Sequence, residues 1–424
     1  MGVRSVPRSV WWRIAWRNLW RNRRRTLLTA SALAFGYLAA VLMVGVSDGM
    51  TAEMIRNGTG ILTGQIAVNA RGYRPERSLY ATIGGDSGVD VPALLAHIAS
   101  TPGVIGAAPR VSAGGLVSLG EQAAGTALLG VEPAREAGVS RLLDTLERGR
   151  PPRPGAAELV LGAELARKLR AAPGSVVVLV APAADGSMGN ALYTVTGIFR
   201  TGLPELDGGL TVLPLGVLQQ LLALTPDRIH EVAVATADPW AAPAVARALA
   251  PALAATAPGA EALSWTAFRP ELADYAQLAG AANGLIVAIV FAMAVFGVAN
   301  TMVMGTYERR REFAVVRAIG TSPGGVARTV LYEGLILGCL ALVAGALLTA
   351  PMLYWWHEAP PDLSALFGDF TTAGALIHPV LVVEYSVRAP ILAAVALLVT
   401  AIIAALYPAV RAARVPPADA LANR

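Results

Sequence analysis

Between Thr26 and Val46 the chain reads TLLTASALAFGYLAAVLMVGV, 21 residues without a charged side chain. As a helix rising about 1.5 Å per residue, such a stretch extends about 30 Å, the thickness of a bilayer's hydrocarbon core. The apolar region of a secretory signal is shorter, about 7–15 residues, and ends at a small-residue cleavage site. Met43 to Asp48 offers no convincing site of that kind, so the stretch reads as an uncleaved membrane anchor. Upstream of it, Trp12, Trp16, Leu19 and Arg23 recur at helical spacing, and residues 1–25 hold eight arginines and no acid. That pattern predicts a helix lying in the membrane interface, with tryptophan rings at headgroup depth and arginines reaching phosphates.

Outward from this anchor, composition points the same way. Only 15% of the 424 residues are charged and 55% are hydrophobic, whereas a soluble domain carries about 25% charged residues. Three further apolar runs crowd the last third, at Ala279–Thr306, Val326–Tyr354 and Pro390–Tyr407. The loop after the second run carries Arg309, Arg310, Arg311 and Arg317 against Glu308 and Glu312. The loop after the third carries Glu358, Asp362, Asp369 and Glu384 against Arg388, and Arg411, Arg414 and Arg424 follow the fourth against Asp419. The positive-inside rule then orients every segment consistently. It predicts a cytoplasmic elbow helix over 1–25, transmembrane helices over 26–47, 279–306, 326–354 and 390–407, a cytoplasmic helix over 307–325 and a cytoplasmic tail over 408–424. Residues 48–278 and the loop 355–389 lie outside.

The outside region holds 17 basic and 21 acidic residues, so the basic excess of the chain sits beside its apolar runs. That is an orientation signal and argues against nucleic-acid binding. The region reads as mixed α and β. Ile61–Asn69 is strand-like, Val91–Ser100 is an amphipathic helix after Asp90, and Ser175–Ala181 and Ala191–Arg200 are β-branched runs joined by a turn at Asp185-Gly186. Gly216–Leu224 and Ala241–Ala255 are expected helices, and RGRPPRPG, ending at Gly155, is a surface loop. Because both ends of the region return to the membrane, 48–118 and 228–278 are expected to form a membrane-proximal unit into which 119–227 is inserted. The fold class is an α-helical membrane protein with four transmembrane helices plus a large mixed α+β extracytoplasmic domain.

Catalytic chemistry is not legible. Lys168 is the only lysine and stands in an ordinary helical context, so the chain has no G-x-x-x-x-G-K-[ST] phosphate loop. The four histidines, His97, His230, His357 and His378, are scattered without companion ligands, and Cys339 is the only cysteine; no metal or resident cofactor is expected. Gly85-Asp86-Ser87-Gly88 imitates a serine-protease motif but has no preceding histidine base, and reads as a turn. Within the apolar runs, the pairs Gly280/Gly284 and Gly334/Gly338 have the spacing of close helix packing. Asn283 and Asn300 suit interhelical hydrogen bonds, and Glu333, near the cytoplasmic end of its run, suits an ion pair with the arginine-rich region. Residues Glu308–Ile319 can form a short amphipathic helix with Phe313, Val316 and Ile319 or Gly320 on one side. The residues alone leave it equally a docking element for a soluble partner or a solvated positive loop.

At these residues the chain resembles the FtsX-like permeases of ABC transporters, in the MacB and lipoprotein-release (LolC/LolE) group. The likeness runs through WRNLWRNRRRTLLT (Trp16–Thr29), ERRREFAVVRAIGTSPGGV (Glu308–Val326), EGLILGCLALVAGALL (Glu333–Leu348) and YPAVRAARVPPADAL (Tyr407–Leu421). In the outside region it includes GVEPAREAGV (Gly130–Val139), ELVLGAELARKL (Glu158–Leu169) and TVTGIFRTGLPELDGGLTVLPL (Thr194–Leu215). The resemblance implies a non-catalytic inner-membrane subunit that pairs with a second permease copy or paralogue and with two copies of a cytoplasmic ATPase, the chain that would bind ATP and Mg. It implies that 307–325 is a coupling helix, with Glu308, Arg310, Glu312, Arg317 and Gly320 at the family's charged and glycine positions. It implies a MacB/LolC-like periplasmic domain over 48–278 that moves as ATP is hydrolysed.

FRTGLPELD (Phe199–Asp207) is most similar to the lipoprotein-release branch, which implies a lipoprotein cargo, surrounding membrane lipid and a periplasmic carrier or adaptor. Depth and polarity then suggest Leu42, Met43, Val46, Met50, Leu278 and Leu285 as contacts for the cargo's acyl chains. MacB-like tripartite efflux of drugs or peptides, and FtsX-like signalling to a cell-wall hydrolase, remain as alternatives.

Overall fold

The structure, a computed structural model, describes residues 8–74, 76–362, 370–372, 375–377, 380, 382–383 and 387–416. The expected features at Asp369, His378, Glu384 and Asp419, and the ends of the elbow and the tail, lie outside them. The chain divides into two units. One comprises the described residues of Met1–Thr51, Gln277–Leu366 and Val380–Arg424, and the other those of Ala52–Ala276 and Phe367–Pro379.

The first unit is helical. An elbow helix, Arg8–Arg21, turns at Asn22 into the first long helix, Arg23–Gly60. The second long helix is Pro270–Glu308, the third Pro323–Glu358 and the fourth Arg388–Ala413, and a short helix, Arg310–Ala318, joins the second to the third. All four long helices are long and apolar enough to cross a membrane. The helix of the first expected span continues beyond 47, through Gly60, and the third long helix takes in Trp355 and Trp356 from the expected loop 355–389. A core of Leu33, Tyr37 and Val41, Val287 and Phe291, Leu337 and Ala341, and Ala393 and Leu397 joins the four. Burying each large apolar side chain contributes roughly 1.5–3 kcal/mol in water; in lipid, close packing takes over that role. At Gly334 and Gly338 an added Cβ would lie 2.6 Å and 2.8 Å from the Cβ atoms of Ala405 and Ala401, so these glycines set how closely the third and fourth helices approach. Nothing lies within 4 Å of a Cβ built on Gly280 or Gly284. Identical spacing thus serves packing inside the unit in one case and leaves an open face in the other. Asn283 reaches Asp48 at 3.4 Å, whereas Asn300 is exposed and not the interhelical contact its polarity suggests.

The second unit is built on one ten-stranded sheet. Its strands are β1 (Ile66–Ala70), β2 (Val104–Leu119), β3 (Gln122–Val131), β4 (Leu146–Gly149), β5 (Glu158–Gly162), β6 (Val176–Pro182), β7 (Met188–Phe199), β8 (Leu210–Pro214), β9 (Glu231–Thr236) and β10 (Ala260–Ser264). They run in the order β10-β1-β9-β2-β3-β8-β5-β7-β4, with β6 paired to β2 and β7. A two-stranded sheet, β11 (Phe370–Thr372) with β12 (Ala375–Ile377), belongs to the same unit. The run expected as a strand from Ile61 begins instead as the turn that ends the first long helix, and pairing starts at Ile66. Gly120, at φ +59°, is the first of two residues linking β2 to β3, where a tight hairpin favours glycine. The helix Val91–Ser100 starts at Asp90, whose carboxylate accepts the Ala93 N–H at 3.0 Å. Glu158 accepts both guanidiniums of the arginine-rich loop, Arg150 at 2.7 and 2.9 Å and Arg153 at 2.6 and 3.0 Å. Those hydrogen bonds hold its carboxyl well below the usual range.

One sheet carries two apolar cores. The helices Val91–Ser100 and Ala242–Thr256 close the first over β1 and β9, around Leu94, Ile98, Val232, Leu249 and Trp265. The helices Ala163–Leu169 and Leu215–Leu221 close the second, around Val117, Leu161, Val177, Val195 and Leu218. The changeover falls inside β2, between Ala107 in the first core and Val111 in the second.

Candidate functional site

The expected coupling residues gather at one end of the helical unit around a buried ion pair. Glu333, on the third long helix, accepts Arg309 Nη1 at 2.8 and 3.0 Å and Asn18 Nδ2 of the elbow helix at 2.7 Å. Both side chains of the ion pair are only about a tenth exposed. A carboxylate and a guanidinium out of water hold each other in place, because either alone carries a large desolvation cost. Glu333 therefore has the structural partner its depth suggests, supplied by Arg309.

Arg309 explains where the short helix begins. With its side chain drawn inward, its backbone sits at φ −104°, ψ 12°, in the sparsely allowed bridge region. The second long helix stops at Glu308 and a new helix starts at Arg310. Glu308 is thus the last residue of a long helix, a correction to its expected place in the short one. Phe313 anchors the short helix, packing with Val326, Val330, Ala409 and Ala412, and the Arg309 guanidinium lies 5.0 Å over its ring. At the far end Gly320 has φ +102° and donates to the Arg317 carbonyl, while Thr321 N–H reaches back to Val316 O at 3.2 Å. This is a Schellman stop, which glycine accommodates without strain. Ser322 caps the third long helix through the Gly325 N–H at 3.2 Å, with Pro323 in its first turn.

The elbow helix region clamps the two glutamates. Arg21 pairs with Glu312 at 2.8 Å, and Arg25 with Glu308 at 2.8 Å. Gly305 leaves room for Arg25, whose Nη2 would lie 2.5 Å from a Cβ there. Arg317 donates to the carbonyl of Val415, tying the short helix to the segment after the fourth long helix. Of the five expected coupling residues, Glu308, Glu312, Arg317 and Gly320 thus shape and brace the element, and Arg310 is exposed. The face turned to solvent is Arg311, Val315 and Ile319, spaced i, i+4, i+8, with Val315 46% and Ile319 78% exposed. Ile319 was expected beside Phe313; Phe313 and Ala314 form the buried side, and Ile319, at the cap just past the helix, is exposed. The repeat 311/315/319 was visible in the sequence, but an apolar residue on an amphipathic helix reads first as core.

The six expected cargo contacts fall on the first two long helices. Leu42, Met43, Val46 and Met50 are half-buried. Leu278 and Leu285, at i and i+7, are 68% and 63% exposed. The Asn283–Asp48 contact brings the two helices together at this level.

The second unit has its own polar centre. Arg110, on β2, donates through Nη2 and Nε to Glu136, the latter at 3.1 Å, and Glu136 also accepts from Ser140. Glu231, the cross-strand partner of Arg110, lies 3.8 Å from its Nη1 and pairs with Arg74. Adjacent His230 is fully buried, stacked on Tyr73 with ring centroids 5.6 Å apart. Its Nδ1 accepts the Ser112 N–H at 3.0 Å, so its proton sits on Nε2, 3.0 Å from Leu79 O. Burial pushes the imidazole below its usual pKa. Among the described residues no group of histidine, cysteine and acidic side chains is arranged to hold a metal.

Four helices long and apolar enough to cross a membrane, a short charged helix between two of them and a large α+β unit are the architecture of a multi-pass membrane protein. Residues 26–252 match the MacB-like periplasmic core domain and residues 284–417 the FtsX-like permease C-terminal domain. The chain belongs to the FtsX-like ABC transporter permeases of the MacB and lipoprotein-release group. It is 29% identical over 330 residues to the lipoprotein-releasing system transmembrane protein LolC of Xylella fastidiosa (strain 9a5c), covering 76% of this chain and 78% of that one. It is 24% identical over 410 residues to the LolC protein of Neisseria meningitidis serogroup B, covering 93% of each. The LolE protein of Haemophilus influenzae is 26% identical over 344 residues, 77% of this chain and 79% of that one. Subunits of this kind are not themselves catalytic; the family implies a partner ATPase and a paired arrangement.

Proposed function

We propose that the chain is the permease subunit of a bacterial inner-membrane ABC complex that extracts lipoproteins from the membrane for transfer to a carrier, with the energy supplied by a separate ATPase that binds ATP and Mg. The observation carrying this is the likeness, over almost the whole chain, to proteins named as lipoprotein-releasing transmembrane subunits. By the positive-inside rule the elbow, the short helix and the C-terminal segment face the cytoplasm, and residues 48–278 and 355–389 face the periplasm. The short helix is the coupling element. Arg311, Val315 and Ile319 form the surface offered to the ATPase, while Glu308, Arg310, Glu312, Arg317 and Gly320 flank that surface and hold it in position. Movement of the ATPase against this helix passes into the first and second long helices and on to the periplasmic unit. The cargo's acyl chains lie between those two helices, against Leu42, Met43, Val46, Met50, Leu278 and Leu285.

Reconstitution with the ATPase and a triacylated lipoprotein tests this directly. ATP should drive transfer of the lipoprotein to a soluble carrier; ATP turnover without any lipoprotein transfer would reject this cargo. Replacing Val46 or Leu285 by Asp should abolish lipoprotein-stimulated turnover while leaving assembly unchanged. Val315→Asp with Ile319→Asp should release the ATPase during purification, and continued co-purification would remove the docking assignment.

A further inference from the structure

A cavity of about 240 Å³ opens where the second long helix ends, the short helix begins and the fourth long helix stops. Its polar lining is Thr306, Tyr307, Arg310, Arg411 and Arg414, and among the described residues no carboxylate faces it. Of these arginines, Arg411 is held by its neighbours. The Arg411 guanidinium lies 4.6 Å over the Tyr307 ring and donates to the Tyr407 hydroxyl at 2.9 Å. Arg317 holds the carbonyl of Val415 and so fixes the wall formed by Val415.

Three guanidiniums around one concavity call for an anion with several acceptor oxygens, above all a phosphate. What lies next to them narrows the source. Ile403, Tyr407 and Arg411 follow each other at i, i+4 and i+8 on one face of the fourth long helix, and Ile403 and Tyr407 are 48% and 58% exposed. On the second long helix Met304, 62% exposed, precedes Tyr307 by three residues. Apolar strips thus run from the arginine cavity along two helices of membrane-spanning length, an arrangement suited to an amphiphile and of no use to a free ion or a soluble protein's acidic loop. We propose that this cavity is a binding site for the phosphate headgroup of an anionic phospholipid, whose acyl chains lie along Met304, Ile403 and Tyr407. Bound there, the lipid braces the start of the short helix against the end of the fourth long helix.

The test needs neither ATP nor lipoprotein, so its outcome is separate from that of the release function. The full-length chain is placed in nanodiscs of phosphatidylcholine with a minor fraction of phosphatidylglycerol, and bound phosphatidylglycerol is counted by native mass spectrometry after transfer to an uncharged detergent. Arg411→Gln with Arg414→Gln should weaken retention about tenfold or more, as expected for two arginines facing an anionic headgroup. Arg23→Gln with Arg24→Gln, the same charge change on exposed residues of the first long helix, should leave it unchanged. Equal retention in wild type and the 411/414 variant, or equal loss in both variants, would overturn the proposal. If the Gln variant does not fold, Met304→Asn with Ile403→Asn decides: lipid retention should fall although every arginine remains. Displacement by inorganic phosphate as effective as by a short-chain phosphatidylglycerol would overturn the lipid assignment in favour of a simple anion site. When the ATPase is co-expressed with the chain, its loss from the 411/414 variant with lipid retention intact would overturn the proposal in favour of a protein-docking pocket.

Discussion

Each unit of this chain buries an arginine against a glutamate, and the two centres differ in what surrounds them. In the sheet unit Arg110 and Glu136 are 3% and 0% exposed, and buried Ser140 and Glu231 with half-buried Arg74 complete the set. In the helical unit Arg309 and Glu333 are similarly buried, but the neighbouring pairs Arg21–Glu312 and Arg25–Glu308 stand about half in water. The first centre is closed and locks strand β2 to its neighbours. The second grades from a fixed core to pairs that solvent can exchange. Under the function proposed above, a unit that transmits a movement benefits from the first arrangement, and an element that receives a push from a partner benefits from the second.

The largest effect should come from opening the closed centre. Arg110→Ala leaves Glu136 buried without its cation, a change that costs about 3–5 kcal/mol. Amide exchange in β2 and β9 of the detergent-purified chain should accelerate by at least about a hundredfold. Replacing both partners, Arg110→Met with Glu136→Leu, should recover much of that protection, because no lone charge remains. Exchange unaffected by Arg110→Ala would break the comparison at its root. Glu333→Gln should cost less, about 2–3 kcal/mol, since Arg309 keeps the Phe313 ring and Glu312 at 3.4 Å. Exchange in the third long helix reports it, and a loss matching that of Arg110→Ala would show the helical centre to be equally closed.

A third effect is set by pH. His230 accepts a backbone N–H at Nδ1 and is buried, so its folded pKa lies below the unfolded value of about 6.5. Protons therefore bind the unfolded chain first. The stability tied to a neutral His230 is complete above about pH 6.5 and is lost as pH falls below it toward the folded value. Glu231, next in the chain, favours the charged ring and limits the loss. The urea midpoint of the sheet unit should fall between pH 7 and pH 5.5, and His230→Gln should flatten that slope. An equal slope in the variant would place the titration elsewhere.

How much of this was legible follows from the length of the signal. A run such as Thr26–Val46 carries 21 votes for one outcome, and arginine placement orients four such runs by a single rule. The cap at Asp90 and the turn at Gly186 were legible because one residue dictates a local geometry. Arg309 was not, since four arginines of the same loop look alike until the fold brings Glu333 and Asn18 to one of them. The Arg110 centre was invisible for the same reason: Glu136 and Glu231 reach it from distant parts of the chain. Gly280/Gly284 and Gly334/Gly338 share a spacing, and only the packed neighbours Ala401 and Ala405 distinguish them.

The smallest effect on stability belongs to the exposed pairs, and it separates bracing from folding. Arg21 and Glu312 are each about half exposed, so each already interacts well with water, and holding two long side chains together costs rotamer entropy. Arg21→Ala should therefore change stability by less than about 1 kcal/mol, and less still in high salt. Its effect on function should be larger. Glu312 sits in the first turn of the short helix, beside the Arg309 that anchors it, and Arg21 tethers it to the elbow helix. If the short helix couples to the ATPase as proposed, losing that tether should let it yield under the partner's push, so that more ATP is hydrolysed per lipoprotein released while the ATPase stays bound. Arg21→Ala with Glu312→Ala should be no worse than either alone if the two act as one strut. Additive losses would mean that Glu312 contacts the partner directly and that the exposed pairs belong to the docking surface, which would move the boundary between the fixed and the responsive parts of the helical unit.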